Sequence, residues 1–252
     1  MDEGEPIFTP QDFIRYEASH RGVNVEQFQV PSQLIILYQK RAFDYISQLF
    51  DRKMKWLYGS FRPVSIKVVG SKELGAFRAW VGAPAAAGML EELIVCGAER
   101  IFEVGMAGSL YTLKPGEIVV VTEAIRDEGT SNHYFPPEEQ LVSSPVLKNL
   151  LIRHLNRKAI KYHVGPVWTT DGIYRETQSK LLTYRNQGAL AVNMESSALF
   201  AVAKYRDVEI ASVQVISDVL SEEGWQPAFN QEKVQNGLLV LLDVVIEVLA
   251  EM

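Results

Sequence analysis

Apolar positions along this chain follow two rhythms that take turns. From about residue 64 onward, short apolar runs of strand length alternate with longer stretches whose apolar residues recur three and four apart. The segments 64–70 and 76–82 read as strands joined by a turn at Gly70-Ser71-Lys72-Glu73-Leu74-Gly75. Pro84 in a favoured first-turn position and Gly97 at the far end bracket a helix over 84–97. Strands are expected at 100–105, 117–126, 161–169, 189–194 and 209–217, with helices at 145–157, 177–187 and 196–206. A last helix, 231–250, puts Val234, Leu238, Leu242, Val245, Ile246 and Leu249 on one face.

Upstream, Leu34, Leu37, Tyr38, Phe43, Ile46, Leu49 and Phe50 predict a helix within 34–57, ended by Gly59 and Pro63. Residues 1–33 are polar, carry prolines at 6, 10 and 31, and read as an extended arm. The expected architecture is therefore an arm, 1–33, and one α/β domain, 34–252. In it a central mixed, twisted sheet is covered by helices on both faces, a three-layer α/β/α arrangement.

Bulk properties narrow the function. A chain of 252 residues can bury a core without disulfides or metals. The single cysteine, Cys96, sits among apolar neighbours and has no internal partner, which points to a reducing, cytoplasmic compartment. The start, Met1-Asp2-Glu3-Gly4-Glu5, is unlike a signal peptide. The apolar run 237–242 stops at Asp243, too short for a membrane span. A net charge of −6 argues against nucleic acid as the main partner. A small molecule in a pocket is the expected ligand.

In open α/β sheets ligands gather at the C-terminal ends of strands, and four stretches fall there. Val104-Gly105-Met106-Ala107-Gly108-Ser109 lets backbone N–H groups approach a ligand, or is simply a tight turn. The loop from Arg126 to Pro137, with His133, has the composition of a binding loop and equally of a solvated one. Trp168-Thr169-Thr170-Asp171-Gly172-Ile173-Tyr174 could wall a planar-base pocket, or Asp171-Gly172 could be a plain turn. Met194-Glu195 and Ile216-Ser217-Asp218 each place an acid after an apolar strand. A carboxylate accepts hydrogen bonds and suits a vicinal diol, although each acid also fits a helix N-cap.

Together these stretches resemble the nucleoside phosphorylase superfamily, over roughly residues 64–220. Its most specific marks are Val192-Asn193-Met194-Glu195-Ser196-Ser197-Ala198 and Val104-Gly105-Met106-Ala107-Gly108. The loop at 126–133 looks closest to uridine phosphorylases, whereas Ile216-Ser217-Asp218 looks like the purine and methylthioadenosine branches. The resemblance implies a pentosyltransferase that cleaves the N-ribosidic bond of a nucleoside to free base and ribose 1-phosphate. Met194 and Glu195 would bind ribose, Glu195 taking its 2′ and 3′ hydroxyls. Asp218 would protonate the departing purine, with a pKa raised by burial. Gly105, Met106, Ala107, Gly108, Asp171, Ile173, Tyr174, Arg126 and His133 complete the expected binding set.

The resemblance also implies no metal, no cofactor beyond phosphate as co-substrate, and a homodimer or hexamer in which His20 or Arg21 could reach a neighbour's site. Two departures concern phosphate: Glu103 stands where the family has an arginine, and Met106 where it often has a hydroxyl. The standard phosphate clamp is therefore not intact. Either Arg41, Arg62, Arg78 and Arg126 form a different one, or water replaces phosphate and the enzyme is a nucleosidase. A nucleoside-binding protein without catalysis is the third reading.

Overall fold

The computed structural model describes residues 4–57, 59–110 and 113–252, with backbone only for 59–62. Helix α1 (Pro10–Arg21) is followed by a 3-10 turn at Val25–Phe28, strand β1 (Gln33–Leu37), helix α2 (Lys40–Leu49), and strands β2 (Arg52–Trp56), β3 (Gly59–Val69) and β4 (Lys72–Arg78). Helix α3 (Ala83–Val95) and strands β5 (Arg100–Ser109) and β6 (Ile118–Asp127) come next. Then follow α4 (Pro145–Arg157), β7 (His163–Thr170), α5 (Gln178–Asn186), β8 (Ala191–Asn193), α6 (Ser196–Tyr205), β9 (Glu209–Ser221), β10 (Gly224–Pro227) and α7 (Glu232–Glu251).

Among the described residues, ten strands form one mixed sheet in the order β10-β9-β6-β7-β8-β5-β1-β4-β3-β2. Strand β9 also pairs with β5, so β5, β8, β7, β6 and β9 close on themselves while β1 to β4 extend the sheet to one side. One core lies under α1, α3 and α6 and the other under α2, α4 and α7, as the mixed α/β reading requires. Among the described residues no helix is long and apolar enough to cross a membrane.

Three local expectations are corrected. The first 33 residues are not simply extended: Thr9 and Asp12 form a reciprocal capping box at the start of α1, whose Ile14 and Ala18 are buried. The sparse apolar face of this helix hid its period. In 34–57, the run Gln33–Leu37 is a fully buried parallel strand between β4 and β5, and only 40–49 is helical. A short, continuous apolar run fits either state when period is the only guide.

The third correction concerns 104–109, which is no turn. Strand β5 continues through it to Ser109, paired with β9 and, at its end, with β8. The glycines there make room for side chains of β9. A Cβ on Gly105 would collide with the Gln214 side-chain oxygen, and one on Gly108 would stand 3.0 Å from Asp218 Oδ2. Between the pairs Ala107–Ile216 and Gly108–Asp218, strand β9 holds one extra residue, Ser217. A bulge of this kind re-aims the side chain that follows it, here Asp218.

Candidate active site

The parallel strands β1 and β4 end together beside Val104 of β5, which runs on to Ser109. Glu195 is the last residue before α6 and is 5% exposed. Its Oε1 accepts the Gly82 N–H at 2.8 Å and its Oε2 accepts the Met194 N–H at 3.1 Å. Gly82 has φ +102°, which favours glycine, and this conformation presents its N–H to the carboxylate. Burial, then the charge of Glu103, pushes the Glu195 carboxyl up to about 8. Met194 is half-buried beside it.

Glu103 is fully buried on β5. Tyr38, one residue beyond β1, donates its hydroxyl to Oε1 at 2.9 Å, and Ser196 at the start of α6 donates to Oε2 at 2.6 Å. Ser212 lies 3.1 Å from the Ser196 hydroxyl and accepts the Gln214 amide at 2.9 Å. Burial raises the Glu103 pKa, while Ser196, Ser212, Tyr38 and Gln214 pull it back by hydrogen bonding. Burial and the charges of Glu103 and Glu195 hold Tyr38 well above the usual phenol range. The polar belt continues beneath α6: Asn193 donates to Ser196 and accepts from Thr169, and Ser197 donates to the buried Glu128.

On the other side of β5, the bulge brings Asp218 beside Gly108. The Ser217 hydroxyl donates to Asp218 Oδ1 at 2.6 Å, and Trp225 on β10 donates its indole N–H to Oδ2 at 2.8 Å. The carboxyl raised by burial at this end is a neighbour that sequence reasoning did not single out. Glu176, which closes the 3-10 turn Ile173–Arg175, is pushed up to about 7 by burial and the Asp218 charge.

Several expected site residues do not converge on Glu195. Tyr174 is 94% exposed and Ile173 is exposed beside it. Asp171 accepts the Gly129 N–H at 3.0 Å, which ties two loops together. Arg126 is engaged within its own loop by Ser131, Asn132 and the carbonyls of Phe135, Pro136 and Glu139, so it organises 126–139. His133 is exposed. Met106 packs toward the α2, α4 and α7 core. Of the other arginines, Arg41 is exposed on α2, Arg78 ends β4 half-buried, and Arg62 lies outside the described side chains.

Residues 46–250 match the sequence profile of the Phosphorylase superfamily. The chain belongs to that superfamily. A guanosine phosphorylase of Halorubrum lacusprofundi is 29% identical over 134 residues, 53% of this chain and 56% of that one. Across such curated relatives the match spans about half of their length. Vibrio fischeri uridine phosphorylase, solved with 6-hydroxy-1-naphthoic acid, superposes with TM-score 0.79 at 27% identity, covering 90% of this chain and 94% of that one. Purine nucleoside phosphorylase of Toxoplasma gondii, solved with immucillin-H, shares the fold with TM-score 0.79 at 21% identity, covering 89% of this chain and 92% of that one. This superfamily chain thus carries two buried acids, Glu103 and Glu195, together under the start of α6.

Proposed function

We propose that this site breaks the N-ribosidic bond of a nucleoside, with Glu195 gripping the ribose diol and the Asp218–Glu176 end receiving the base. One observation carries the reading: a buried carboxylate is held by two backbone N–H groups at the meeting point of β4, β8 and α6, and further hydroxyl donors can complete its shell. Rupture of C1′–N builds positive charge on the ribose, and a carboxylate beside the sugar stabilises it. The base leaves with the bond's electron pair, and the acidic pair Asp218 and Glu176 can supply the compensating proton.

Two acceptors complete the reaction. Phosphate, giving ribose 1-phosphate, is supported by the activities named for the relatives and by the 126–133 loop. Water, giving ribose, is supported by the electrostatics beside Glu195, where the charged group acting on it is another carboxylate, Glu103 within β5. Two like charges at 4 Å repel by about 4 kcal/mol at an effective dielectric near 20. The exposure of Ile173 and Tyr174 is compatible with a pocket completed by a second subunit, in a homodimer or hexamer.

The test is a panel of purine and pyrimidine nucleosides assayed for free base, with and without phosphate. Release of base from at least one member is expected. Saturable nucleoside binding with no release in either condition would leave a binding protein as the reading.

A further inference from the structure

The carboxylate in the β5 strand does more than disfavour an anion. In the sheet β5 lies between β9 and β1, so Asp218 is carried on one side of β5 and Tyr38 on the other. If the base leaves toward Asp218, the acceptor reaches C1′ from the opposite side, where Tyr38 and Glu103 lie. There the Tyr38 hydroxyl donates to Glu103 and retains lone pairs for a further donor. Glu103 receives hydroxyls on both oxygens, the arrangement of an ionised acceptor.

We propose that the acceptor is water and that Tyr38 and Glu103 activate it, Tyr38 as the group touching the water and Glu103 as the proton sink behind it. This rests on the nucleoside-cleavage reading above. The water oxygen forms a bond to C1′ as the C1′–N bond breaks, and that bond's electron pair departs on the base nitrogen. The water proton passes to the Tyr38 oxygen while the Tyr38 proton moves to Glu103 Oε1. A proton from the Asp218–Glu176 end neutralises the base. Nucleoside and water become ribose and base, and exchange with solvent resets both ends.

The experiment follows the best nucleoside of the panel in oxygen-18 water, with inorganic phosphate absent or in excess, and reads the sugar product by mass spectrometry. Ribose labelled at C1, at a rate that phosphate does not change, is expected. Ribose 1-phosphate formed at a phosphate-dependent rate overturns water as acceptor while leaving nucleoside cleavage standing. No base from any nucleoside overturns both.

Tyr38→Phe isolates the relay, because it removes one oxygen and leaves Glu103 with Ser196, Ser212 and Gln214. Roughly 100-fold loss of kcat, the scale of general-base catalysis, is expected with nucleoside affinity and melting temperature retained. Full kcat in Tyr38→Phe overturns the relay. Should that variant fold poorly, Glu103→Gln is read for the same kcat-against-affinity split, and the label and phosphate measurements on the wild-type chain need no variant.

Discussion

At the proposed sugar end, Glu103 lies within β5, Tyr38 follows β1, and Glu195 stands between β8 and α6. Asp218, Glu176 and Trp225, at the proposed base end, are carried by a bulge, a 3-10 turn and a four-residue edge strand, and Trp225 is 58% exposed. The first region is held by hydrogen bonds between residues far apart in sequence, the second mostly by neighbours within a few positions. The difference teaches where precision is needed. Chemistry at C1′ tolerates little displacement, so its groups belong on rigid elements, whereas recognition of one base or another can be left to a rim.

The largest test of this contrast is Glu195→Gln. It keeps the shape and removes the charge, and is expected to lose about 2–4 kcal/mol of transition-state stabilisation, roughly 30- to 1,000-fold in kcat/KM. Near-normal kcat/KM would remove Glu195 from the sugar. Next comes Asp218→Asn, which should lower purine turnover by roughly 100-fold and spare pyrimidines. Equal loss on both classes would mean that the base end serves every substrate alike, as the sugar end does.

The smallest effect is on pH. Glu195 is pushed up to about 8, so in the empty site it is largely protonated below that pH and ionised above it. The base end must keep the proton it donates, and Glu176 there is pushed up to about 7, so kcat/KM should fall above about pH 8. The diol needs ionised Glu195, so on the acid side kcat/KM should climb about tenfold per pH unit. Glu103→Gln removes the like charge and should slide this limb to lower pH. The same shift has a stability sign. A carboxyl raised by folding favours the fold fully below its unfolded pKa, and that contribution is lost as pH rises through about 8. Glu195→Gln should therefore flatten the dependence of melting temperature on pH in that window.

Local signals carried much of the fold. Helix α4 begins where Ser144 caps it and Pro145 takes its first turn, and α7 shows its apolar stripe openly. Strand β1 was hidden because five successive buried residues have no period of two, and α1 because its capping box protects a mostly polar helix. In the site, Glu195, Met194 and Asp218 were legible as residues at the ends of apolar runs. Tyr38 was not, since its meaning depends on Glu103, 65 residues away. Glu176 acquires its character only from burial against Asp218. What Arg126 and Asp171 hold was equally out of reach of local reading: Arg126 bonds groups of its own loop, and Asp171 accepts the Gly129 N–H from 42 residues away.

The groove that Gly105 leaves for Gln214 constrains what position 103 can hold. The donors around Glu103 come from three separate segments, and all of them expect an acceptor at their centre. An arginine there would remove the acceptor these groups share, and the hydroxyls around it would have to turn their lone pairs inward. An arginine at position 103 is thus coupled to Tyr38, Gln214 and their companions, which would have to rearrange with it. Position 103 is thereby tied at once to the segment after β1, to α6 and to β9.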